Sequence, residues 1–329
     1  MSSSASKETD RDLLNATATS LPSWNDGPAK RAIVNFVIRS TDETSPGFVP
    51  VANRIATFDQ DGTLWVEQPI YAQAVFAFDR LATVVDDRPE LRTIEPFKTV
   101  LSRDWAAITA LSLKDLEPIV ESTHAGITVE AFGAAVAEWI AKARDPRFGR
   151  RYTELTYQPM HDVMAYLSSG GLSVYIVTGG GQDFVRVFAE ETYGIPRDRV
   201  VGSVMATRFG HDATGAPTLT KIPTLTRNND LAAKPEGIHM MIGRRPTIAF
   251  GNSLGDEAML DFTTGGGGPA MGLLLLHDDE IREYAYGPAT GLPDSKIGPF
   301  PQSLYDEARK RGWTVISMKN DWKRVFAFE

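Results

Sequence analysis

From Pro159 onward, short apolar segments alternate with amphipathic ones, and this alternation constrains the fold more than any other feature of the chain. Segments such as LSVYIVT and PTIAFGNS have the length and the branched residues of buried strands. The earlier segment RIATF, which ends at Phe58, has the same character. Alternating strands and helices pack as a parallel sheet that is covered by helices on both faces. We therefore predict an α/β fold with a Rossmann-like parallel core.

Between the first predicted strand and Pro159 the pattern is different. Alanine-rich stretches with helical periodicity, such as YAQAVFAFDRLATVV and EAFGAAVAEWIAKA, fill this region, and strand signals are few. We therefore predict a helical cap domain at residues 67–155, inserted into a core made of residues 23–66 and 156–329. The polar start of the chain, residues 1–22, is predicted to be a disordered tail.

The composition excludes several classes of function. The chain has 329 residues and no cysteine, which rules out disulfides, thiolate catalysis and cysteine-ligated zinc. The net charge is −8 and there is no long basic run, so we expect neither nucleic acid nor a membrane as a partner. The start lacks the apolar core of a signal peptide, which predicts a cytoplasmic protein unless an export leader has been removed. The oligomeric state is left open.

Side chains that can take part in chemistry lie at the ends of three predicted strands. One more lies at the start of the helix that precedes the third of these strands. In parallel α/β sheets, ligands bind at the carboxyl ends of the strands. Converged there, these residues would supply carboxylates, a hydroxyl, an ammonium group and an oxygen-rich cation site, and hard oxygen ligands favour Mg²⁺. The residues are Asp59, Asp61, Thr178, Lys234, Asn252 and Asp256.

Asp59 and Asp61 stand one residue apart and are followed directly by Gly62. Two like charges this close tend to raise each other's pKa. A bound cation, a proton held for chemistry, or plain solvent exposure in an Asp-Gly turn would each explain the pair. The stretch also partly matches an EF-hand calcium loop, but Thr57 and Gln68 stand where that loop needs acids.

Four motifs together resemble those of the haloacid dehalogenase-like superfamily. They are DQDGTLW, IVTGG, the lysine of KP, and GNSLGD, in the order and spacing of that superfamily. The resemblance spans roughly residues 54–65 and 159–275. The helical insertion lies where phosphoserine phosphatase-like members carry a C1-type cap. The resemblance implies a Mg²⁺-dependent phosphomonoesterase that hydrolyses a small phosphate ester, with the cap over its active site.

The resemblance also implies a role for each motif. Asp59 would be the nucleophile that forms an aspartyl-phosphate. Asp61 would protonate the leaving group and then activate water, and its backbone carbonyl would bind Mg²⁺. Thr178 and the amide of Gly179 would hold phosphoryl oxygens, while Lys234 would offset charge on the transferring group.

The remaining phosphate-site assignments lie next to these motifs. The resemblance also implies that Gly62 of the first motif and Gly180 of the second motif belong to the phosphate site. Glu67 lies at the passage into the cap, where it either reaches the substrate or is solvated.

The metal site is expected to contain Asp59, Asp61, Asp256 and Asn252. Asn252 stands where the fourth motif of the superfamily often has an acid. An amide supplies an oxygen but no charge, so we expect weaker Mg²⁺ binding than in a site with the acid, and Asp256 as the direct ligand. The acid at position 61 points to phosphate transfer, because dehalogenases of the superfamily lack a carboxylate there.

Some assignments stay open at this stage. Lys221 competes with Lys234 but lies in a predicted hairpin farther from the fourth motif, and Asp183 is interpreted as a helix cap. Phosphoserine is favoured as the substrate only by the type of cap, and another small organophosphate is equally consistent. A phosphotransferase with the same site and a non-catalytic metal- or ligand-binding protein are the alternative functions. Five cap arginines are either contacts for an anionic substrate or solvated: Arg103, Arg144, Arg147, Arg150 and Arg151.

Overall fold

The computed structural model describes residues 20–329, with the exception of the side chains of Thr109 and Leu113. The predicted disordered tail therefore lies almost wholly outside the described residues. In its described part, Leu21 is buried and belongs to the same hydrophobic cluster as Trp24. The folded core of the protein thus includes Leu21. No helix in residues 20–329 is long and apolar enough to cross a membrane.

The described residues form seven strands in one sheet. The strands are β1 Ile55–Phe58, β2 Ser173–Gly181, β3 Val200–His211, β4 Pro217–Arg227, β5 Ile248–Gly251, β6 Met271–Leu276 and β7 Thr314–Ser317. Their spatial order is β4-β3-β2-β1-β5-β6-β7. All neighbouring strands are parallel except β3 and β4. The prediction of an α/β fold with a Rossmann-like, mostly parallel sheet is confirmed.

The α-helices, numbered along the described chain, occur in three groups. Before and within the predicted cap they are α1 Pro28–Thr41, α2 Ala72–Asp87, α3 Phe97–Leu101, α4 Trp105–Ala110, α5 Leu113–His124 and α6 Val129–Ile140. Around β2 they are α7 Gln158–Ser169, α8 Gln182–Val185 and α9 Ala189–Tyr193. In the rest of the chain they are α10 Ala233–Met241, α11 Glu257–Thr264, α12 Gln302–Arg311 and α13 Met318–Asp321.

Strand β1 lies at the centre of the sheet, between β2 and β5. All four of its residues are buried, and Phe58 stacks on Phe250 of β5 with ring centroids 4.3 Å apart. Phe58 pairs with Phe250 on one side and with Ile176 of β2 on the other. Because the three strands are parallel and in this register, the residues that follow them lie at the same edge of the sheet.

Strand β2 is longer than the sequence predicts. We expected it to end at Thr178, but it continues to Gly181, with an irregular register against β3 between Val177 and Gly181. Another segment approaches closely at this end. A Cβ on Gly181 would lie 2.6 Å from the side-chain amide nitrogen of Gln73, at the start of α2.

Strands β3 and β4 form the predicted hairpin as an antiparallel ribbon, in which Thr207 pairs with Lys221. The other side of β4 contacts the segment after α5. The Gly126 N–H donates to the Lys221 carbonyl at 2.8 Å, and the Lys221 N–H donates to the Ile127 carbonyl at 2.9 Å. The ribbon thus connects the sheet to the helical region.

The helices of the predicted cap do not share a single hydrophobic core. Helices α2 to α5 enclose a separate cluster that includes Leu81, Phe97 and Ile119. In contrast, Phe132 and Val136 of α6 belong to the large cluster around the sheet. Helices α2 to α5 therefore share a cluster of their own, α2 also joins the large cluster through Ala72 and Phe76, and α6 packs with the sheet.

Candidate active site

The loop after β1 carries the two neighbouring aspartates. The Asp59 N–H donates to the Phe250 carbonyl, and the Gly62 N–H donates to the Trp65 carbonyl, both at 2.9 Å. Gly62 has a φ of +73°, and a Cβ there would lie 2.1 Å from the side-chain nitrogen of Asn252. The turn is packed against the loop after β5, and Asp59 is buried. Plain solvent exposure therefore does not explain the pair of carboxylates.

Lys234, in the first turn of α10, lies between two carboxylates at this edge of the sheet. Its Nζ is 2.5 Å from Asp59 Oδ1 and 2.6 Å from Asp256 Oδ1, and all three side chains are buried. Asp59 Oδ2 accepts no hydrogen bond from the described residues. This oxygen is therefore available for a ligand or for chemistry.

Burial and neighbouring charges shift the pKa values of these groups. Burial, reinforced by the charge of Asp256, raises the pKa of Asp59 well above its usual value, and Lys234 opposes the shift. Burial alone would lower the pKa of Lys234, but the charges of Asp256 and Asp59 outweigh it, and the pKa is raised. The lysine therefore stays charged, and its single positive charge does not neutralise both carboxylates that it contacts.

Asp61 lines the same cavity as Asp59. Its Oδ1 accepts a hydrogen bond from Trp65 Nε1 at 2.8 Å. A Cβ built on Gly180 would lie 3.6 Å from Asp61 Oδ2, which places this second oxygen beside the glycines of β2. Burial raises the pKa of Asp61 to about 6. A carboxyl group with such a pKa can donate and accept a proton near neutral pH.

The end of β2 places a glycine-rich segment opposite the carboxylates. Gly179 and Gly180 line the cavity, whereas Thr178 is completely buried. The Gly180 N–H donates to Thr178 Oγ1 at 2.9 Å, and Asn229 Nδ2 donates to the Thr178 carbonyl at 3.0 Å. The hydroxyl of Ser203 donates to the Gly179 carbonyl at 2.7 Å. These contacts fix the segment from both sides.

Asp256 shapes the loop after β5. Its Oδ2 accepts hydrogen bonds from the backbone N–H groups of Asn252 at 2.9 Å and Ser253 at 3.1 Å, while Oδ1 contacts Lys234. A Cβ on Gly251 would lie 2.3 Å from Asp256 Cβ, so this close packing needs glycine. Both carboxylate oxygens are thus engaged by protein groups. This differs from our expectation of Asp256 as a direct metal ligand.

Glu67 is buried, so the interpretation of a solvated side chain is wrong. Its Oε1 accepts hydrogen bonds from Asn252 Nδ2 and from the Tyr286 hydroxyl, both at 2.7 Å. Burial raises the pKa of Glu67 well above its usual value, and the hydrogen bond from Tyr286 opposes the shift. Asn252 Oδ1 in turn accepts a hydrogen bond from Thr63 Oγ1 at 3.2 Å. Glu67 therefore contacts Asn252 directly, and it lines the same cavity as Asp59 and Asp61.

A histidine–glutamate pair supports the loop after β1, and sequence reasoning did not find it. His277 Nδ1 lies 2.9 Å from Glu283 Oε2, and His277 Nε2 lies 2.7 Å from the Gly62 carbonyl oxygen. A carbonyl oxygen only accepts, so Nε2 is the donor of that bond. The ring of Tyr286 stacks on the imidazole at 4.4 Å. The only sequence signal was the position of His277 directly after an apolar strand.

A cavity of about 370 Å³ opens onto these residues. Its inner wall includes Asp59, Asp61, Lys234 and the glycines of β2. Helices α5 and α6 and the β3–β4 ribbon supply the outer wall, so the helical region covers the carboxyl edge of the sheet. The volume suits a small-molecule ligand. The residues of the outer wall include Leu116, Glu117, Val120, Glu121, His124, Phe132, Met205, Lys221 and Leu225.

Lys221 belongs to this outer wall. It is buried, it forms an ion pair with Asp183, and its Nζ lies 4.8 Å from the ring centroid of Phe132. Asp183 is not the helix cap that we predicted, because Gly181 occupies the N-cap position of α8. Of the two candidate lysines, Lys234 is the one that contacts Asp59.

The cap arginines do not line the cavity. Two of them donate to backbone carbonyl groups of Gly149 and Glu280. The other three form ion pairs with Asp79 or Glu154. A role in contacting an anionic substrate in this cavity is therefore not supported for any of the five. They are Arg103, Arg144, Arg147, Arg150 and Arg151.

The donor atoms at the sheet edge suit Mg²⁺. The Asp59 and Asp61 carboxylates line the cavity, the Asn252 side chain packs against Gly62 of the same turn, and Mg²⁺ prefers hard oxygen ligands of these kinds. Within residues 20–329, no group of three or more His, Cys, Asp or Glu side chains is arranged to hold a metal ion. A Mg²⁺ ion here would therefore be bound by few carboxylates, together with neutral oxygens and water, as is usual for this ion.

Known proteins share this fold. A family model described as haloacid dehalogenase-like hydrolase matches residues 56–261. A search of curated proteins gives no match. A solved structure of a protein with unknown function from Bordetella pertussis Tohama I is 13% identical, covering 80% of this chain and 98% of that chain, with a TM-score of 0.49.

Two further solved structures are similar. A functionally unknown protein from Anaerococcus prevotii is 15% identical, with 88% of this chain and 91% of that chain covered and a TM-score of 0.53. A phosphoserine phosphohydrolase-like protein from Francisella tularensis is 16% identical, with 69% and 89% covered and a TM-score of 0.37. At these identities, the Anaerococcus structure supports the fold alone.

The residues that the family model matches identify the class of protein. The family model covers more than half of the chain and includes the sheet edge from Asp59 to Asp256. The chain therefore belongs to the haloacid dehalogenase-like hydrolase family, which confirms the resemblance seen in the sequence motifs.

Proposed function

We propose that this protein is a Mg²⁺-dependent phosphomonoesterase that hydrolyses a small phosphorylated metabolite through an aspartyl-phosphate on Asp59. The position of Asp59 carries the proposal. Its Oδ1 is 2.5 Å from the ammonium group of Lys234, and its Oδ2 is free of hydrogen bonds from the described residues. The same side chain lines a cavity that it shares with Asp61.

The chemistry takes two steps. Asp59 Oδ2 attacks the phosphorus atom, and the bond between phosphorus and the leaving oxygen breaks while Asp61 gives that oxygen a proton. Asp61 then accepts a proton from a water molecule, whose oxygen attacks the aspartyl-phosphate. The second step releases inorganic phosphate and regenerates Asp59.

Groups of the cavity wall would hold the transferring phosphoryl group. Lys234 offsets its negative charge, and the Gly179 N–H binds its oxygens. The buried Thr178 hydroxyl, which accepts a hydrogen bond from the Gly180 N–H, supports this glycine segment next to the cavity. Gly180 leaves room for the phosphate next to Asp61, whereas the space at Gly62 is taken by Asn252 and Glu67, so Gly62 shapes the turn and does not itself border the phosphate. Such fixed donors act without reorganising during the reaction, which is why they are effective.

A bound Mg²⁺ ion would supply the positive charge that lets an anionic phosphate approach an anionic carboxylate. Asp59, the backbone carbonyl of Asp61 and the side-chain oxygen of Asn252 would hold it. Asp256 would act from behind, through Lys234 and the loop amides that it binds. This proposal replaces the expectation that Asp256 is itself a ligand.

The outer wall of the cavity indicates which kind of leaving group the site can accept. It combines apolar side chains with the carboxylates of Glu117 and Glu121. A second anionic group on the substrate would meet Lys221, which is already paired with Asp183. The wall therefore disfavours a second anionic group and suits a leaving group that is apolar or positively charged, which does not single out phosphoserine.

The test is hydrolysis of p-nitrophenyl phosphate by the full-length protein with Mg²⁺ and with EDTA. We expect Mg²⁺-dependent release of p-nitrophenol that Asp59→Asn reduces at least about 1,000-fold, since no other group would form the intermediate. Asp87→Asn makes the same change at an exposed position of α2 and is the matched control. Activity that persists in Asp59→Asn contradicts the proposed mechanism.

The same system separates the alternative functions. If added alcohols lower the ratio of free phosphate to p-nitrophenol, the protein is a phosphotransferase. If the wild type releases no p-nitrophenol, fluoroberyllate is added and the adduct on Asp59 is followed by ¹⁹F NMR. An adduct supports a nucleophile behind a selective cap, whereas its absence indicates a non-catalytic binding protein.

A further inference from the structure

Glu67 carries an inference that rests on the Mg²⁺-dependent function proposed above. Position 252 holds an amide, which brings no negative charge to the metal site. A buried carboxylate that lines the same cavity contacts it, with Glu67 Oε1 2.7 Å from Asn252 Nδ2. We infer that Glu67 is a positioning residue of the metal site, which orients the Asn252 oxygen and supplies the charge that asparagine lacks.

The orientation follows from the hydrogen-bonding capacity of each group. The nitrogen end of an asparagine amide only donates and the oxygen end only accepts. Glu67 Oε1 is an acceptor for the nitrogen end, and the oxygen end of Asn252 accepts from Thr63 Oγ1 at 3.2 Å. A flipped amide would place two acceptors 2.7 Å apart. The oxygen of Asn252 therefore faces the loop that carries Asp59, with a second lone pair left for a cation.

The position of Glu67 is itself fixed. The Tyr286 hydroxyl donates to the same Oε1 at 2.7 Å. Two glycines with positive φ leave the space for this carboxylate. A Cβ on Gly62 would lie 2.4 Å from Oε1, and a Cβ on Gly298 would lie 1.8 Å from it. The Glu67 carboxylate therefore fits only if positions 62 and 298 are both glycine.

The charge of Glu67 acts on a site that already holds three other carboxylates. Lys234 pairs with Asp59 and Asp256, and its charge also favours the ionised form of Asp61 without contacting it. A carboxylate that is hydrogen-bonded to a ligand raises the affinity for a cation, since such partners typically change metal affinity about 10- to 100-fold. Glu67 therefore supplies the negative charge that an acid at position 252 would otherwise supply.

The test measures Mg²⁺ binding to the substrate-free, full-length protein by calorimetry. Four proteins are compared: the wild type, Glu67→Gln, Asn252→Asp and the double variant. We expect Glu67→Gln to weaken Mg²⁺ binding about 10-fold or more. Asn252→Asp alone should bind Mg²⁺ less than about threefold more tightly than the wild type, because the new carboxylate lies against Glu67 and like charges repel. The double variant restores binding to within about threefold of the wild type, because one charge replaces the other.

Two results overturn the inference. One is a Glu67→Gln variant that binds Mg²⁺ as the wild type does. The other is an Asn252→Asp substitution that tightens binding by the same factor with and without Glu67. In both cases the wild type binds Mg²⁺, so the proposed function survives. If the wild type binds no Mg²⁺, the metal dependence in the proposed function is wrong, and this inference falls with it.

Two further variants guard against a purely structural effect. Tyr286→Phe keeps the charge but removes one hydrogen bond to Glu67, and we expect Mg²⁺ binding about threefold weaker. Unchanged binding in Tyr286→Phe contradicts the inference even if Glu67→Gln does not fold. Glu130→Gln removes an exposed carboxylate on α6 and is expected to bind Mg²⁺ as the wild type does. Thermal unfolding in EDTA shows which variants are folded before metal is added.

Discussion

Lys234 and Asp59 form a buried ion pair in which Nζ and Oδ1 are 2.5 Å apart. The same Nζ is 2.6 Å from Asp256 Oδ1, so one cation serves two carboxylates. Removing one partner of a buried pair leaves an uncompensated charge, which is strongly destabilising. Here the removal of Lys234 would leave two such charges.

We predict that Lys234→Met impairs both stability and activity. The free energy of unfolding in EDTA should fall by about 3 kcal/mol, and Mg²⁺ should restore part of it by neutralising the same carboxylates. The kcat for p-nitrophenyl phosphate should fall about 100- to 1,000-fold, as when one fixed charge-stabilising group is lost. Urea denaturation and steady-state kinetics measure these effects.

A matched control exists for this variant. Lys142→Met breaks the exposed pair with Glu138 on the outer surface, and both measurements should stay at wild-type values. A Lys234→Met protein that keeps more than about a tenth of the wild-type kcat would show that Lys234 does not act on the phosphoryl group.

The second prediction concerns the turn at Gly62. A Cβ there would lie 2.1 Å from Asn252 Nδ2 and 2.4 Å from Glu67 Oε1, and the φ of +73° disfavours any other residue. We expect Gly62→Ala to abolish Mg²⁺ binding and to lower the free energy of unfolding by about 3 kcal/mol, because contact and backbone strain add. Calorimetry and urea denaturation test this.

Gly215→Ala is the control for backbone strain alone. Gly215 has a φ of +88°, but a Cβ there meets nothing within 4 Å. Its loss of stability should be about 1 kcal/mol, with Mg²⁺ binding retained. Equal losses in the two variants would show that the contacts at Gly62 cost nothing.

The edge of the sheet that carries the candidate active site was predictable because its position depends only on the order of the strands. Parallel strands bring their carboxyl ends to one edge, so Asp59, Thr178 and Asn252 must lie close together once the strands are recognised. In the structure β1 lies between β2 and β5, as this reasoning requires.

Contacts between distant irregular segments were not predictable. Tyr286 lies 219 positions from Glu67, in a segment after β6 that has no periodic pattern, so no spacing rule connects the two residues. Likewise, Lys221 is in a polar hairpin, and only the pairing of β4 with Gly126 and Ile127 brings it beneath the helices. Charge alone does not tell which way a side chain points, which is why the cap arginines were candidates and Lys221 was not placed in the cavity.

The third prediction concerns Lys221 and Asp183. Lys221 is almost completely buried, and Asp183 is partly exposed. Lys221→Met leaves the carboxylate of Asp183 without its partner, and we expect a loss of about 2 kcal/mol in the free energy of unfolding. The double variant Lys221→Met, Asp183→Leu should lose less than the sum of the two single variants, because no unpaired charge remains. Urea denaturation of the wild type, the two single variants and the double variant gives the interaction energy between the two residues. Strictly additive losses would contradict the prediction.

The fourth prediction is a pH dependence of stability that comes from His124. Burial, aided by the charges of Lys221 and Arg80, lowers the pKa of His124 to about 3. An unfolded chain has a histidine pKa of about 6.5. Between these values the unfolded state binds a proton that the folded state does not, so stability falls as the pH decreases through this window. Above a pH of about 6.5 the contribution of His124 is fully present.

His124→Gln removes this titration from the protein. From about pH 6 to pH 4, the free energy of unfolding should therefore depend less steeply on pH than in the wild type, by about 1.4 kcal/mol per pH unit, the value for one proton. Urea denaturation at a series of pH values measures both slopes, and all other titrating groups cancel in their difference. His124→Asn, with a smaller side chain, should give the same slope as His124→Gln, because the effect depends on the lost proton and not on the lost volume. Equal slopes in the wild type and both variants would mean that the folded protein accepts the proton, and that the imidazole is not held neutral by its surroundings.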